Sequence, residues 1–269
     1  MAKTRPMDIW EIFDPKKELP ASKLSEFLRA SDMSVPRERI FTCRLLSDLK
    51  LAAAVAGYHL QHYEPDVDRD GHDVMLEDDD RITSQQLKVV YGKTRTWEIR
   101  KRLIRPDARY GAPLGFQALT APGGIVSEEE GIQGGVILIQ PVVSKTGALD
   151  GVVYRYTDLF VLLAIKFHLI QKNKPSQLAA ERSLTELRNG LGRHKIKLNR
   201  SGFVEAKSAE SLLALMGLNS RYSSSWRLNL VRYVSTELDK RLIDEETKAQ
   251  QQCIGKEIRE DLAQITKLK

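Results

Sequence analysis

Cysteine is almost missing from this chain: Cys43 and Cys253 are the only two among 269 residues. Two distant cysteines build neither a disulfide framework nor a Cys-rich zinc site, so reduced thiols in a cytoplasmic protein are expected. Long hydrophobic runs are missing too. The longest, Leu159 to Ile170, is interrupted by Lys166 and His168. It falls short of the ~20 apolar residues that a membrane span needs and reads as a core helix, with no membrane partner. The basic start, Met1 to Arg5, is not followed by the apolar core of a signal peptide. The five histidines show no HExxH or paired metal spacing. GxSxG, P-loop and Rossmann glycine patterns are absent, which argues against an ester hydrolase of that type, an NTPase and a dehydrogenase.

What is present is the balance of a globular protein, 42% hydrophobic and 29% charged. Lys and Arg number 42 against 36 Asp and Glu, a net charge of +6. That excess suits a nucleic-acid partner without requiring one. The length fits one large domain or two smaller ones.

Along the chain, Ser22 and Ser34 are candidate helix N-caps. The better helix runs from about Pro36 to Ala56, with Phe41, Leu45, Leu49, Ala52 and Ala56 near helical spacing, and Gly57 ends it. Strands are expected over Tyr58–Tyr63, His72–Glu77 and Arg81–Val90, with a turn at Asp78-Asp79-Asp80 between the last two. A helix follows over Thr94–Leu103, then a loop-rich stretch over Leu114–Glu130. Val136–Gln140 and Val152–Tyr156 read as buried strands, and Thr157 as the cap of a helix reaching Ile170. Asn173 to Pro175 reads as a linker. Beyond it only helices are expected: Ser176–Leu187, Ser208–Met216, Ser225–Leu242 and Lys248–Ile265, the last with an apolar stripe at Ile254, Ile258, Leu262 and Ile265. The fold class is therefore α/β, a mixed sheet flanked by helices over residues 1–172 and an all-helical oligomerisation or partner-binding domain over 173–269.

One stretch carries chemistry. Asp73 sits on a strand that turns back at about residues 78 to 81, and Gln86 and Lys88 lie two apart on the returning strand, so they share one face. Asp73 falls roughly opposite Gln86, where cross-strand neighbours are ~5 Å apart, close enough to touch one cation. Mg²⁺ (or Mn²⁺) takes hard oxygen ligands. Asp73 supplies a charged oxygen and Gln86 an amide oxygen. Lys88 places a positive charge beside an attacked phosphate.

At these residues the chain resembles the restriction-endonuclease-like superfamily, the PD-(D/E)xK nucleases, in the versions found in bacterial defence effectors. The helix, three strands, helix and strand of that core match residues 36 to 140. The family's Asp maps to Asp73 and its (E/Q)xK to Gln86-Leu87-Lys88, and the resemblance implies the Leu87 carbonyl as a further metal ligand. It also implies metal-dependent cleavage of DNA in anti-phage or foreign-DNA defence, by a homo-oligomer or under a regulatory defence-system protein. Gln86 stands where Glu is common. A neutral ligand weakens the site unless another carboxylate helps, with Asp48, Glu38, Glu64, Asp66 and Asp68 as candidates. A fold retained without catalysis, as a nucleic-acid-binding or assembly subunit, is the alternative.

Asp66, Asp68, Asp70, Gly71 and Glu77 also match a calcium-loop pattern. That motif needs a helix on each side, whereas strands are expected here. Directly after the candidate site come seven basic residues, Lys93, Arg95, Arg100, Lys101, Arg102, Arg105 and Arg109, with Trp97 among them. They are candidates for nucleic-acid phosphate contact. A second cluster, Arg188, Arg193, His194, Lys195, Lys197 and Arg200, is expected between helices of the C-terminal part.

Overall fold

The computed structural model describes residues 21–65, 71–92, 94–107, 131–170, 173–189, 194–238 and 244–267. The expected loop over Leu114–Glu130 lies outside them, as do Lys93 and Arg109.

Helix α1 spans Ala21–Arg29 and α2 spans Ser34–Val55. The α2 core stripe is Phe41, Leu45, Leu46, Leu49 and Ala53. Ser34 is the first helical residue and not the cap; that position belongs to Met33, whose side chain makes no capping bond. Gly57, at φ +84°, turns the chain out of the helix in a conformation that glycine adopts without strain.

Three antiparallel strands follow: β1 (Gln61–Tyr63), β2 (Val74–Glu77) and β3 (Ile82–Val89). The β2–β3 turn is an Asx turn and more than an acidic bend. Asp78 is buried, and its Oδ1 accepts the N–H groups of Asp80 (3.0 Å) and Arg81 (2.8 Å). Its Oδ2 accepts the Asn219 N–H at 2.6 Å, tying the hairpin to the C-terminal third.

The segment read as a helix over Thr94–Leu103 is instead strand β4 (Thr96–Arg100) followed by one helical turn, α3 (Lys101–Ile104). Its partner is β7 (Lys195–Asn199), with buried Ile99 facing buried Ile196. That distant pairing outweighs the local helical reading.

Strand β5 (Gly135–Val143) runs parallel to β3 and antiparallel to β6 (Leu149–Asp158). Strands β8 (Val204–Ala206) and β9 (Thr266–Lys267) extend the sheet beyond β6. The result is a mostly antiparallel seven-stranded sheet, order β1-β2-β3-β5-β6-β8-β9, flanked by helices. Lys88, Leu138, Arg155, Glu205 and Lys267 are register partners in one row across it, so they share a face. Tyr154 points to the opposite face, where its hydroxyl donates to Asp48 of α2 at 2.6 Å.

Helix α4 spans Leu159–Lys166, shorter than expected, and its cap is Asp158, not Thr157: the carboxylate accepts the Val161 N–H at 2.8 Å. Thr157 stays in β6. Asn173, read as a linker, caps α5 (Lys174–Arg188). Then come α6 (Ala209–Met216, capped by Ser208), α7 (Trp226–Leu238) and α8 (Glu245–Ile265, capped by Asp244). The expectation of helices alone after Ser176 fails at β7, β8 and β9, two of which complete the main sheet. The last two are three and two residues long, too short to show strand alternation.

The C-terminal helices seal the same core. Trp226 is fully buried and packs edge-on to Phe160 of α4, ring centres 6.4 Å apart. The Arg227 guanidinium lies 4.0 Å from the Phe160 ring centre and pairs with buried Asp158 at 2.6 Å. Among the described residues, no helix is long and apolar enough to cross a membrane.

Candidate active site

Two backbone events put Asp73 beside the end of β3. Its N–H donates to the Gln85 carbonyl at 2.9 Å, although Val74 is the residue paired with Gln85. Two residues thus address one, the arrangement of a β-bulge, which re-aims a side chain and ends pairing. The Asp73 carboxylate then reaches past Gln86, and its Oδ2 accepts the Leu87 N–H at 2.6 Å. In a strand, a residue's N–H and C=O point to the same edge. The Leu87 carbonyl therefore faces the edge that β2 has vacated.

A groove of about 430 Å³ opens there. Asp73, Leu87 and Lys88 form one wall, Glu38 and Arg39 of α2 another, and Glu64 at the exit of β1 a third. Asp73 is exposed and Lys88 partly so. Of the candidate additional acids, Glu38 and Glu64 therefore stand in the groove. Asp48 does not: Arg44 Nε at 3.0 Å and the Tyr154 hydroxyl at 2.6 Å occupy it on the sheet-facing side of α2. Burial and this carboxylate together push the Tyr154 phenol far above its ordinary pKa. Asp66 and Asp68 lie outside the described residues.

Gln86 is not among the groove's lining residues. Its Oε1 is withdrawn from solvent with no hydrogen-bond partner among the described residues. The Nδ1 of His72, next to Asp73, is in the same condition. Buried polar atoms without a protein partner are uncommon in a folded chain. Among the described residues, no three His, Cys, Asp or Glu side chains gather as a metal group. The groove offers instead the Asp73, Glu38 and Glu64 carboxylates and the edge-facing Leu87 carbonyl, hard donors of the kind Mg²⁺ accepts.

The basic residues after the site divide sharply. Arg100 runs along the site's approach: a Cβ on Gly71 would lie 2.9 Å from its Cδ, so Gly71, at φ +81°, leaves room for that stem two residues before Asp73. Arg95 and Arg102 are exposed. Lys101 and Arg105 are buried, and the Lys101 ammonium donates to the Asn189 carbonyl at 2.8 Å. Burial removes these two from any surface that a nucleic acid touches.

In the second basic cluster Arg188 ends α5, Lys195 and Lys197 lie in strand β7 with His194 just before it, and Arg200 opens the turn after it, while Arg193 lies outside the described residues. The calcium-loop reading fails on its flanks, which are strands β1 and β2. Its last ligand position, Glu77, is paired with Gln61 and accepts the Tyr63 hydroxyl, which raises the Tyr63 phenol's pKa. Arg39 on the groove wall had no signal in the sequence, because only folding sets the phase of α2 against β3.

Compared with protein-family models, with curated proteins and with solved structures, the chain has no match.

Proposed function

We propose that this chain is a metal-dependent nuclease of the PD-(D/E)xK type, cutting DNA phosphodiester bonds in bacterial defence against phage or foreign DNA. The observation that carries the reading is the Asp73 carboxylate folded onto the Leu87 N–H at 2.6 Å, in a groove it shares with Lys88 and two further acids.

Asp73, the Leu87 carbonyl and the Gln86 amide oxygen would hold Mg²⁺ or Mn²⁺, with Glu64 or Glu38 supplying a second negative charge. A bound divalent ion would lower the pKa of water and neutralise charge on phosphate. Lys88 then contributes a fixed cation beside the phosphate, where negative charge grows as water adds to phosphorus and one P–O ester bond breaks. Arg100 and Arg102 hold flanking phosphates. A homo-oligomer would set two such grooves on opposite strands of a duplex, and a regulatory defence-system protein would keep the activity in check.

The alternative is an assembly or nucleic-acid-binding subunit with the same fold and no catalysis. The position of Gln86 outside the groove lining favours it. Cleavage of supercoiled and linear DNA with Mg²⁺ or Mn²⁺ separates the two. The native chain is expected to cut and Lys88→Ala to lose at least about a hundredfold in rate, with an unchanged melting temperature. Equal cutting by both proteins would remove Lys88 from the chemistry.

A further inference from the structure

A second cavity, of about 420 Å³, lies further along the sheet, between its β6–β8–β9 end and the β4–β7 ribbon. Four cationic side chains line it, Arg95, Arg155, Arg200 and Lys267, against one carboxylate, Glu205. We infer that this pocket binds a small ligand carrying one or two phosphate groups.

Charge bookkeeping inside the pocket leaves it short of anions. Glu205 is shared by Arg155 (2.5 Å) and Lys267 (3.1 Å). Among the described residues, the Arg200 guanidinium has an amide oxygen, Gln140 Oε1, as its partner and takes it jointly with Arg155. Arg95, on the rim, has no ion pair among the described residues. Burial, and then the neighbouring Arg155, lower the pKa of the Arg200 guanidinium. Both effects disfavour its charged form, and the negative charge of an anion placed between the two guanidinium groups would offset them. Planar guanidinium forks match phosphate oxygens in bidentate pairs.

Size and position fix the class of ligand. The volume falls within the ~300–1,000 Å³ of small-molecule sites, more than a lone phosphate fills and suited to a nucleotide. The pocket is also separate from the candidate active site. Lys88 and Arg155 share one row of the sheet, but Leu138 stands between them and is 1% exposed. The two linings share no residue. A ligand here would touch Arg95 just before β4, the end of β7 and the turn after it, β6 and β9 at once, and would clamp the ribbon and the last strand onto the sheet.

The test is calorimetric titration of the full chain with inorganic phosphate, pyrophosphate and AMP, at ionic strength held constant with NaCl. Saturable binding of pyrophosphate or AMP is expected. It should weaken about tenfold or more in Arg200→Gln, weaken also in the rim variant Arg95→Ala, and stay unchanged in Lys88→Ala. Preference for AMP over pyrophosphate assigns the ligand to nucleotides, and the reverse to inorganic phosphates. Absence of saturable binding, equal binding by Arg95→Ala, or binding of duplex DNA alone at these arginines would overturn the inference. Because the readout is binding, its failure is distinct from any failure of the nuclease reading.

Discussion

A glutamine at position 86 offers a neutral oxygen where a carboxylate would bring charge, and the consequences are measurable. Its Oε1 lies out of contact with solvent and without a partner among the described residues. A carboxylate in that setting, without metal, pays desolvation, and its pKa rises above the ordinary ~4.3 of glutamate. A raised folded-state value for an acid means that stability is lost as pH climbs from the unfolded value through the folded one. Gln86→Glu is therefore expected to melt below the native chain in EDTA and to regain stability with Mn²⁺. Its Mn²⁺ affinity should be on the order of tenfold tighter, since added ligand charge tightens such sites. Thermal denaturation with and without metal, together with Mn²⁺ titration, reads both effects. A variant that melts low and does not respond to Mn²⁺ would disconnect Gln86 from any metal. Asp73 and Lys88 line one groove and could be paired from the sequence because a single hairpin turn separates their strands. The acid that joins them could not. Glu38 and Asp48 lie on one helix, ~15 Å apart along its axis, and only the packing of α2 decides which faces the groove.

At the scale of elements, the readable ones declared themselves locally. Helix α2 carries its stripe within 22 residues, and the β2–β3 hairpin alternates across a four-residue turn. Strand β4 has no such local signal, because what makes it a strand is β7, nearly a hundred residues downstream. The same dependence on distant partners shows at Gly217, the end of α6. It adopts φ +80°, and the Leu218 N–H returns to the Leu213 carbonyl at 3.0 Å, closing the helix. A Cβ there would lie 2.6 Å from Arg81 Nη1 and 3.0 Å from Arg227 Cδ. Arg81 extends a flexible end, but Arg227 is fixed by Asp158. The left-handed conformation alone costs a non-glycine residue ~1–2 kcal/mol. Gly217→Ala is expected to destabilise the protein by about 2 kcal/mol, read from the midpoint of urea unfolding with an unchanged slope. A midpoint equal to or above the native one would show that Arg227 yields at little cost.

For the whole molecule, the question is whether residues 1–172 stand alone. The sequence suggests a boundary there, since the linker-like Asn173 to Pro175 follows an apolar run. The packing argues for one cooperative unit. Removing the chain beyond residue 172 takes Arg227 from Asp158, which is 1% exposed and, among the described residues, keeps the Tyr156 hydroxyl and the Val161 N–H. A buried charge stripped of its partner costs ~3–5 kcal/mol. The same cut bares the edge of β6 where β8 pairs and uncovers Phe160 where Trp226 packs. An unpaired edge beside exposed apolar surface invites aggregation. With domain stabilities of only ~5–15 kcal/mol, those losses leave little margin. The fragment 1–172 is expected to show no cooperative melt and to aggregate, while the full chain unfolds in a single calorimetric transition. A fragment with a sharp transition of its own and dispersed amide resonances would restore the two-domain division. It would also move the C-terminal strands from the core of the fold to its periphery.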